Sequence, residues 1–289
     1  MTPFEMPLKN PRAILQTAGR YAKKSLGQHF LIHSNTANDI IHQGGISCED
    51  QIIEIGPGLG ALTLPLSKQA KFVHAIDVDS HLLDLLSSEL AKKGVSNVNL
   101  IHGDILKTPF DTIISQNEHT NGRWVVMGNL PYHISSQIIV KLIKERHGID
   151  QAIVMLQKEM ADRIQSPPGS KSYGRLSVML QYCAWIKPLI TISGQAFFPR
   201  VKVGSQVIQI DFRDTIEQPV NDERQLFSVV KAAFGKRRKT IGNALRSGLS
   251  CGSELITTGL QQADIDPMRR AETLSVQEFV GLTNMLSIK

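Results

Sequence analysis

Glu54-Ile55-Gly56-Pro57-Gly58-Leu59-Gly60-Ala61 follows a short apolar run, Gln51–Ile55, and opens a segment of helical pattern. Glycines are needed where a backbone turns sharply and a ligand approaches it with no Cβ in the way. A pair of glycines alone reads as an ordinary tight turn; the strand-to-helix setting favours a cofactor loop. The loop does not choose its ligand, because Gly56, Gly58 and Ala61 also satisfy the G-x-G-x-x-A pattern of dinucleotide enzymes.

Outward from this loop, Lys71–Asp77, Val98–Ile101, Trp124–Gly128 and Gln151–Leu156 read as further buried strands. Between them, Asp79–Lys93 reads as a helix with Leu82, Leu83, Leu86 and Leu90 on one face. Asp79 or Ser80 is placed to cap its start, and Gly94 to stop it in the left-handed conformation. Strands alternating with helices imply an α/β fold, a mostly parallel sheet covered on both faces. A helix is expected after Gln157 and another over Tyr173–Ala184, with Val201–Phe212, interrupted by Gly204, as the closing strand or hairpin. From Asn221 the pattern is helical only. The expected division is a flexible tail over 1–20, a catalytic domain over 21–217 and a smaller helical domain over 218–289.

The 289 residues are 42% hydrophobic and 20% charged, the balance of a globular chain with a sizeable core. No apolar run approaches the roughly 18 residues of a membrane helix, and the proline-broken start has no signal-peptide core. A cytoplasmic protein with no membrane partner is expected. Cys48, Cys183 and Cys251 lie far apart, and His29 and His33 have no third ligand nearby, so no metal is assigned. Of the net charge of +6, half falls in residues 218–289, where ten Lys/Arg face seven Asp/Glu. That points to a polyanionic partner.

Two carboxylates follow strands as the loop does. Asp77 ends the second strand, where either cofactor class offers a ribose diol, and Asp104 follows the third, where a carboxylate accepts from an adenine amine or caps a turn. Asn129-Leu130-Pro131-Tyr132 follows the fourth strand, at the carboxyl edge where doubly wound sheets bind ligands. An aromatic exocyclic amine is a poor nucleophile because its lone pair is spread into the ring. The Asn129 side-chain oxygen and the Leu130 carbonyl can each accept one amine hydrogen and localise that pair. Pro131 stiffens the turn and Tyr132 offers a stacking face. The plain alternative, a strand-terminating turn, explains Asn and Pro but not their coupling to the glycine loop.

Lys23-Lys24-Ser25-Leu26-Gly27-Gln28-His29-Phe30-Leu31, Glu54–Gly60, Asn129–Tyr132 and Gly235-Lys236-Arg237-Arg238-Lys239-Thr240, in this order, resemble the small-subunit ribosomal RNA adenine dimethyltransferase family from about residue 20 onward. The resemblance implies a Rossmann-like class I methyltransferase sheet, with S-adenosylmethionine as cofactor and 16S rRNA of the small subunit as partner. It places His29 and Leu31 at the cofactor's methionine end, Gly56 and Gly58 on its backbone, Asp77 on its ribose and Asp104 on its adenine. Asp77 stands where the family more often has Glu. Asn129 would hold the target amine, and Phe197, or Phe198 beside it, would be a second base-stacking aromatic. After that aromatic the family has a run of prolines and Lys-Val-Asp-Ser, where this chain reads Pro199-Arg200-Val201-Lys202-Val203-Gly204-Ser205.

RNA contact is expected from Lys236, Arg237, Arg238 and Lys239, within sixteen residues (Lys231–Arg246) that contain no acid. On a helix these four would fan over about 300°, so only two or three would meet one phosphate track. Lys23, Lys24, Lys171 and Arg175 are expected on the other edge of the cleft, and a monomer is expected. The competing readings are a 23S rRNA dimethyltransferase of the antibiotic-resistance kind and a noncatalytic assembly factor on the same fold. A DNA adenine methyltransferase lacks a visible target-recognition domain, and a nicotinamide enzyme leaves Asn129–Tyr132 unexplained.

Overall fold

The computed structural model describes residues 10–115, 122–236 and 238–286. Its strands, in chain order, are β1 (Phe30–Leu31), β2 (Gln51–Ile55), β3 (Phe72–Asp77), β4 (Val98–His102), β5 (Trp124–Asn129), β6 (Gln151–Gln157), β7 (Ala184–Ile192), β8 (Phe197–Phe198) and β9 (Ser205–Phe212). Seven form one sheet in the order β4-β3-β2-β5-β6-β9-β7, and β1 pairs with β8 in a separate two-stranded ribbon. β2 to β6 are mutually parallel, and β9 runs antiparallel to β6. All of β2 is buried, as are the first five residues of β5 and the first six of β6, which is why these strands read as continuous apolar runs.

The helix Ser80–Lys92 buries Leu82, Leu83, Leu86 and Leu90, and Gly94 beyond its end is left-handed, as the pattern requires. Its start differs from expectation. Asp79 occupies the cap position but makes no capping bond; its carboxylate is taken by Lys23 at 2.9 Å and the Gln28 amide at 2.9 Å. Two features escaped the sequence pattern. β7 is an edge strand carrying Pro188, and the ribbon strands are two residues each, too short for any periodicity.

The expected flexible tail is a correction in part. Pro11–Thr17 is a helix, started by Pro11 and by Asn10, whose side chain accepts from the Arg12 amide at 3.0 Å. Leu15 is buried with Phe30 and Leu82, with Phe198 packed against them, and so fixes the segment to the rest of the chain. Residues 1–9 lie outside the described residues.

Two compact units divide the chain. The first, Met1–Ala161 with Ile186–Phe212, contains the glycine loop and the ends of β2 to β6. The second, Asp162–Trp185 with Arg213–Lys289, is helical and differs from the expected division near 217 by including the helix Arg175–Cys183. That helix buries Ser177 to Leu180, and Tyr173 before it meets the ring of Phe234, which in turn faces Phe279. A helix so buried belongs with its packing partners, whatever its place in the sequence.

Candidate active site

Because β2, β3, β4 and β5 are parallel, Ile55, Asp77, His102 and Asn129 end at one edge of the sheet. The first unit holds there a cavity of about 970 Å³ lined by His29, Glu54, Gly56, Asp77, Asn129 and Pro131, among others. Gly56 has φ +70° and Gly58 φ +55°, a region that side chains rarely adopt. A methyl group at Gly56 would meet nothing within 4 Å, so the backbone there is open to a ligand; one at Gly58 would sit 3.1 Å from the Phe30 ring.

The Asp77 carboxylate accepts from the Asp79 amide at 2.9 Å and the Gly58 amide at 3.4 Å, which ties the loop to the end of β3. Burial nevertheless holds its pKa above the ordinary carboxylate value. Burial also raises Asp79, but the Lys23 and Gln28 bonds outweigh it and hold that carboxyl below its ordinary value. Asp104 accepts from the Leu106 amide at 3.0 Å, sits 3.9 Å from the Lys107 ammonium and does not line the cavity.

Glu54 is the residue that sequence reasoning missed. It is the next-to-last residue of β2, 1% exposed, lines the cavity, and its Oε2 has no hydrogen-bond partner among the described residues. Burial pushes its carboxyl up to about 8, against the opposing pull of Thr63 beside it. A buried carboxyl with an unused oxygen in a cavity is a site feature, since such groups are otherwise satisfied. The signal in the sequence was a single acid in Gln51-Ile52-Ile53-Glu54-Ile55, easily read as part of the turn.

Asn129 donates its side-chain amide to the His29 carbonyl at 2.8 Å, which leaves Oδ1 as a free acceptor. The Leu130 amide donates to Met155 at 3.2 Å, and among the described residues no donor takes the Leu130 carbonyl. The Tyr132 hydroxyl is bonded to Ser205 Oγ at 2.8 Å, and its ring stacks on His29 at 5.8 Å and 24°. Ser205 is wholly buried, so this bond is shielded from water, and burial raises the Tyr132 phenol. His29 in turn binds the Pro199 carbonyl through Nδ1 at 2.8 Å. The Lys23–Leu31 segment is thus laid directly along the Asn129–Tyr132 turn.

A family model described as "Ribosomal RNA adenine dimethylase" matches residues 19–287. The chain belongs to that family. It is 43% identical over 277 residues to the Ribosomal RNA small subunit methyltransferase A of Desulforapulum autotrophicum, covering 96% of each chain. To its counterpart from Bacillus pumilus it is 40% identical over 278 residues, covering 95% of this chain and 94% of the other. A solved dimethyladenosine transferase from Plasmodium falciparum superposes with a TM-score of 0.74 at 24% identity, over 88% of this chain and 95% of that one. The 23S rRNA methyltransferase ErmE does so with a TM-score of 0.65 at 21% identity, over 90% and 100%. Those two show the Rossmann-like class I methyltransferase fold.

Within the dimethylase family, several residues of this chain stand differently from the sequence reading. Phe197 is 1% exposed, paired with Leu31 across the β1–β8 ribbon and packed in the core with Ile40 and Val207. A ring with no free face cannot stack a base, so its expected role is withdrawn. Phe198 packs against Leu15 and Phe30 and does not line the cavity. Leu31 is buried but lines the cavity with His29. Lys23 spends its charge on the buried Asp79, while Lys24, Lys171 and Arg175 are exposed. Lys171 and Arg175 fall in the second unit with Lys236, Arg238 and Lys239. Those last three are exposed in a turn between the helices Glu223–Phe234 and Ile241–Gly248, not on a helix, so the 300° fan does not apply. Arg237 lies outside the described residues.

Proposed function

We propose that this chain uses S-adenosylmethionine to dimethylate the N6 amines of two adjacent adenines in a loop near the 3′ end of 16S rRNA in the small ribosomal subunit. What carries this reading is the Asn129 side chain, tied by its nitrogen to His29 so that its oxygen is left as an acceptor beside a cavity with an unpartnered carboxyl. The residues fit the cofactor. Gly56 is open to approach, the unused oxygen of Glu54 suits a cationic ammonium, and Asp77 suits a ribose diol. Gly58 shares the loop, and His29 and Leu31 border the methionine end; Asp104, just past the end of β4 and outside the cavity lining, would reach the adenine amine only at the cavity's rim.

The cofactor supplies a methyl group on a sulfonium, transferable by in-line displacement. The chain's own task is alignment and exclusion of water. Asn129 Oδ1 and the Leu130 carbonyl accept the two amine hydrogens and localise the nitrogen lone pair toward the methyl. Pro131 fixes the direction of that carbonyl, and Tyr132, held by Ser205, forms the wall against which the flipped base rests. The amine loses its proton after attack, so no strong base is required. The exposed cations Lys24, Lys171, Arg175, Lys236, Arg238 and Lys239 meet phosphates, Arg237 with them. Among the described residues no helix is long and apolar enough to cross a membrane. We read the protein as a cytoplasmic monomer.

Asn129→Ala tests the reading. Single-turnover methyl transfer to unmodified small subunits should fall by at least a hundredfold, with cofactor affinity within about twofold of the parent's. Near-parent transfer would remove Asn129 from the mechanism; absence of transfer by the parent itself would favour a noncatalytic assembly role.

A further inference from the structure

We propose that a second, shallow cleft in the first unit, formed by Arg12, Arg20, Tyr21 and the Phe198–Pro199 edge, receives the nucleotide next to the target adenine. Its base would lie on Tyr21 and its phosphate between the two guanidinium groups. The proposal rests on the rRNA reading above.

The cleft is about 360 Å³ and separate from the cofactor cavity. Arg12, Gln16, Arg20 and Tyr21 are exposed along one wall, and Tyr21 is 85% exposed. Arg20 is steadied by a 3.2 Å bond to His81. From Asn10 to Gln28 the chain has four cations and no acid. An exposed aromatic lining one cleft with two arginines is the chemistry that holds a single-stranded nucleotide, a π-face for any base and bidentate donors for phosphate.

Position selects which nucleotide. Pro199 forms part of the cleft, and its carbonyl holds His29, whose ring stacks on Tyr132. One side chain, His29, therefore links the cleft to the Asn129–Tyr132 turn. A flipped adenine stays joined to its neighbours, so the adjoining surface must receive one of them. The helix Pro11–Thr17 sets this up. Leu15 anchors it, Pro11 and Ile14 line the cofactor cavity, and Arg12 and Gln16 line the cleft.

The test is equilibrium binding of the full-length protein to unmodified small ribosomal subunits over a range of salt, with S-adenosylmethionine affinity measured in parallel by calorimetry. Tyr21→Ala should weaken subunit binding by roughly five- to a hundredfold, and Tyr21→Phe should restore it. Arg12→Gln with Arg20→Gln should flatten the slope of log affinity against log salt by about 1.4, at about 0.7 per single-strand phosphate contact. Cofactor affinity should stay at the parent's value in all three. If the parent binds subunits and the variants match it in affinity and slope, the cleft is not a nucleotide site. If cofactor affinity and melting temperature fall together with subunit binding, the segment is merely structural and the proposal fails. If the parent itself does not bind subunits, the rRNA reading fails first and this one with it.

Discussion

Glu54 allows the cofactor site to be tested through protons. Its carboxyl stands at about 8 in the free protein because burial disfavours the charge. At pH 7 it is therefore about nine-tenths protonated. A cationic ammonium placed against the unused oxygen reverses that preference, and the carboxyl must ionise to bind it. Between pH 6 and pH 7, close to one proton should leave for each cofactor bound, and affinity should rise by nearly tenfold for the unit of pH. Calorimetry in buffers of different ionisation enthalpy counts that proton directly. Glu54→Gln keeps the shape and removes the titration; at pH 7 it should bind only about one- to fifteenfold more weakly, because loss of a charge-assisted bond of about 1.5–3 kcal/mol is offset by the roughly tenfold cost of ionising the parent's carboxyl. The free protein gives an independent check. A carboxyl raised from 4.5 to about 8 binds more protons folded than unfolded, so stability falls as pH rises through that window. The fall is at most about 1.4 kcal/mol per pH unit, and Glu54→Gln should abolish it. A cofactor affinity that is flat from pH 6 to pH 7, with no buffer-dependent heat, would refute the assignment of Glu54 to the ammonium.

Ser205→Ala should leave cofactor affinity unchanged and slow single-turnover methyl transfer about five- to tenfold, because the Tyr132 hydroxyl loses its buried partner at a cost of about 1 kcal/mol or slightly more. A rate equal to the parent's would mean the Tyr132 ring is held by His29 alone. Replacing Lys236, Arg238 and Lys239 with Gln removes three exposed charges from one turn. Subunit affinity should drop and its salt slope flatten by up to about 2.7 if all three meet duplex phosphates, with cofactor binding untouched. An unaltered slope would show the turn to be solvated surface.

The sequence determined what depends on local pattern. β2, β3, β5 and β6 betray themselves as apolar runs because both faces of such a sheet are covered; β4, also expected to be buried, is the sheet's edge strand and has no buried residue. The Leu82–Leu90 face and Gly94 fix one helix because burial at helical spacing and a left-handed stop are local demands. The order of motifs along the chain was enough to place it in its family. Tertiary structure decided which side chains face the cavity. Glu54 and Phe197 show why: a lone acid in a strand and a Phe two residues before a Pro have the same local pattern whether they meet a ligand or a core. Only packing turns the Phe197 ring of β8 into the core and leaves Glu54 with an oxygen unused. The same holds for Lys23, which reads as a surface cation until a buried carboxylate 56 residues away claims it at 2.9 Å. Pairings between residues distant in the chain are set by the sum of all contacts, and no window of sequence contains that sum.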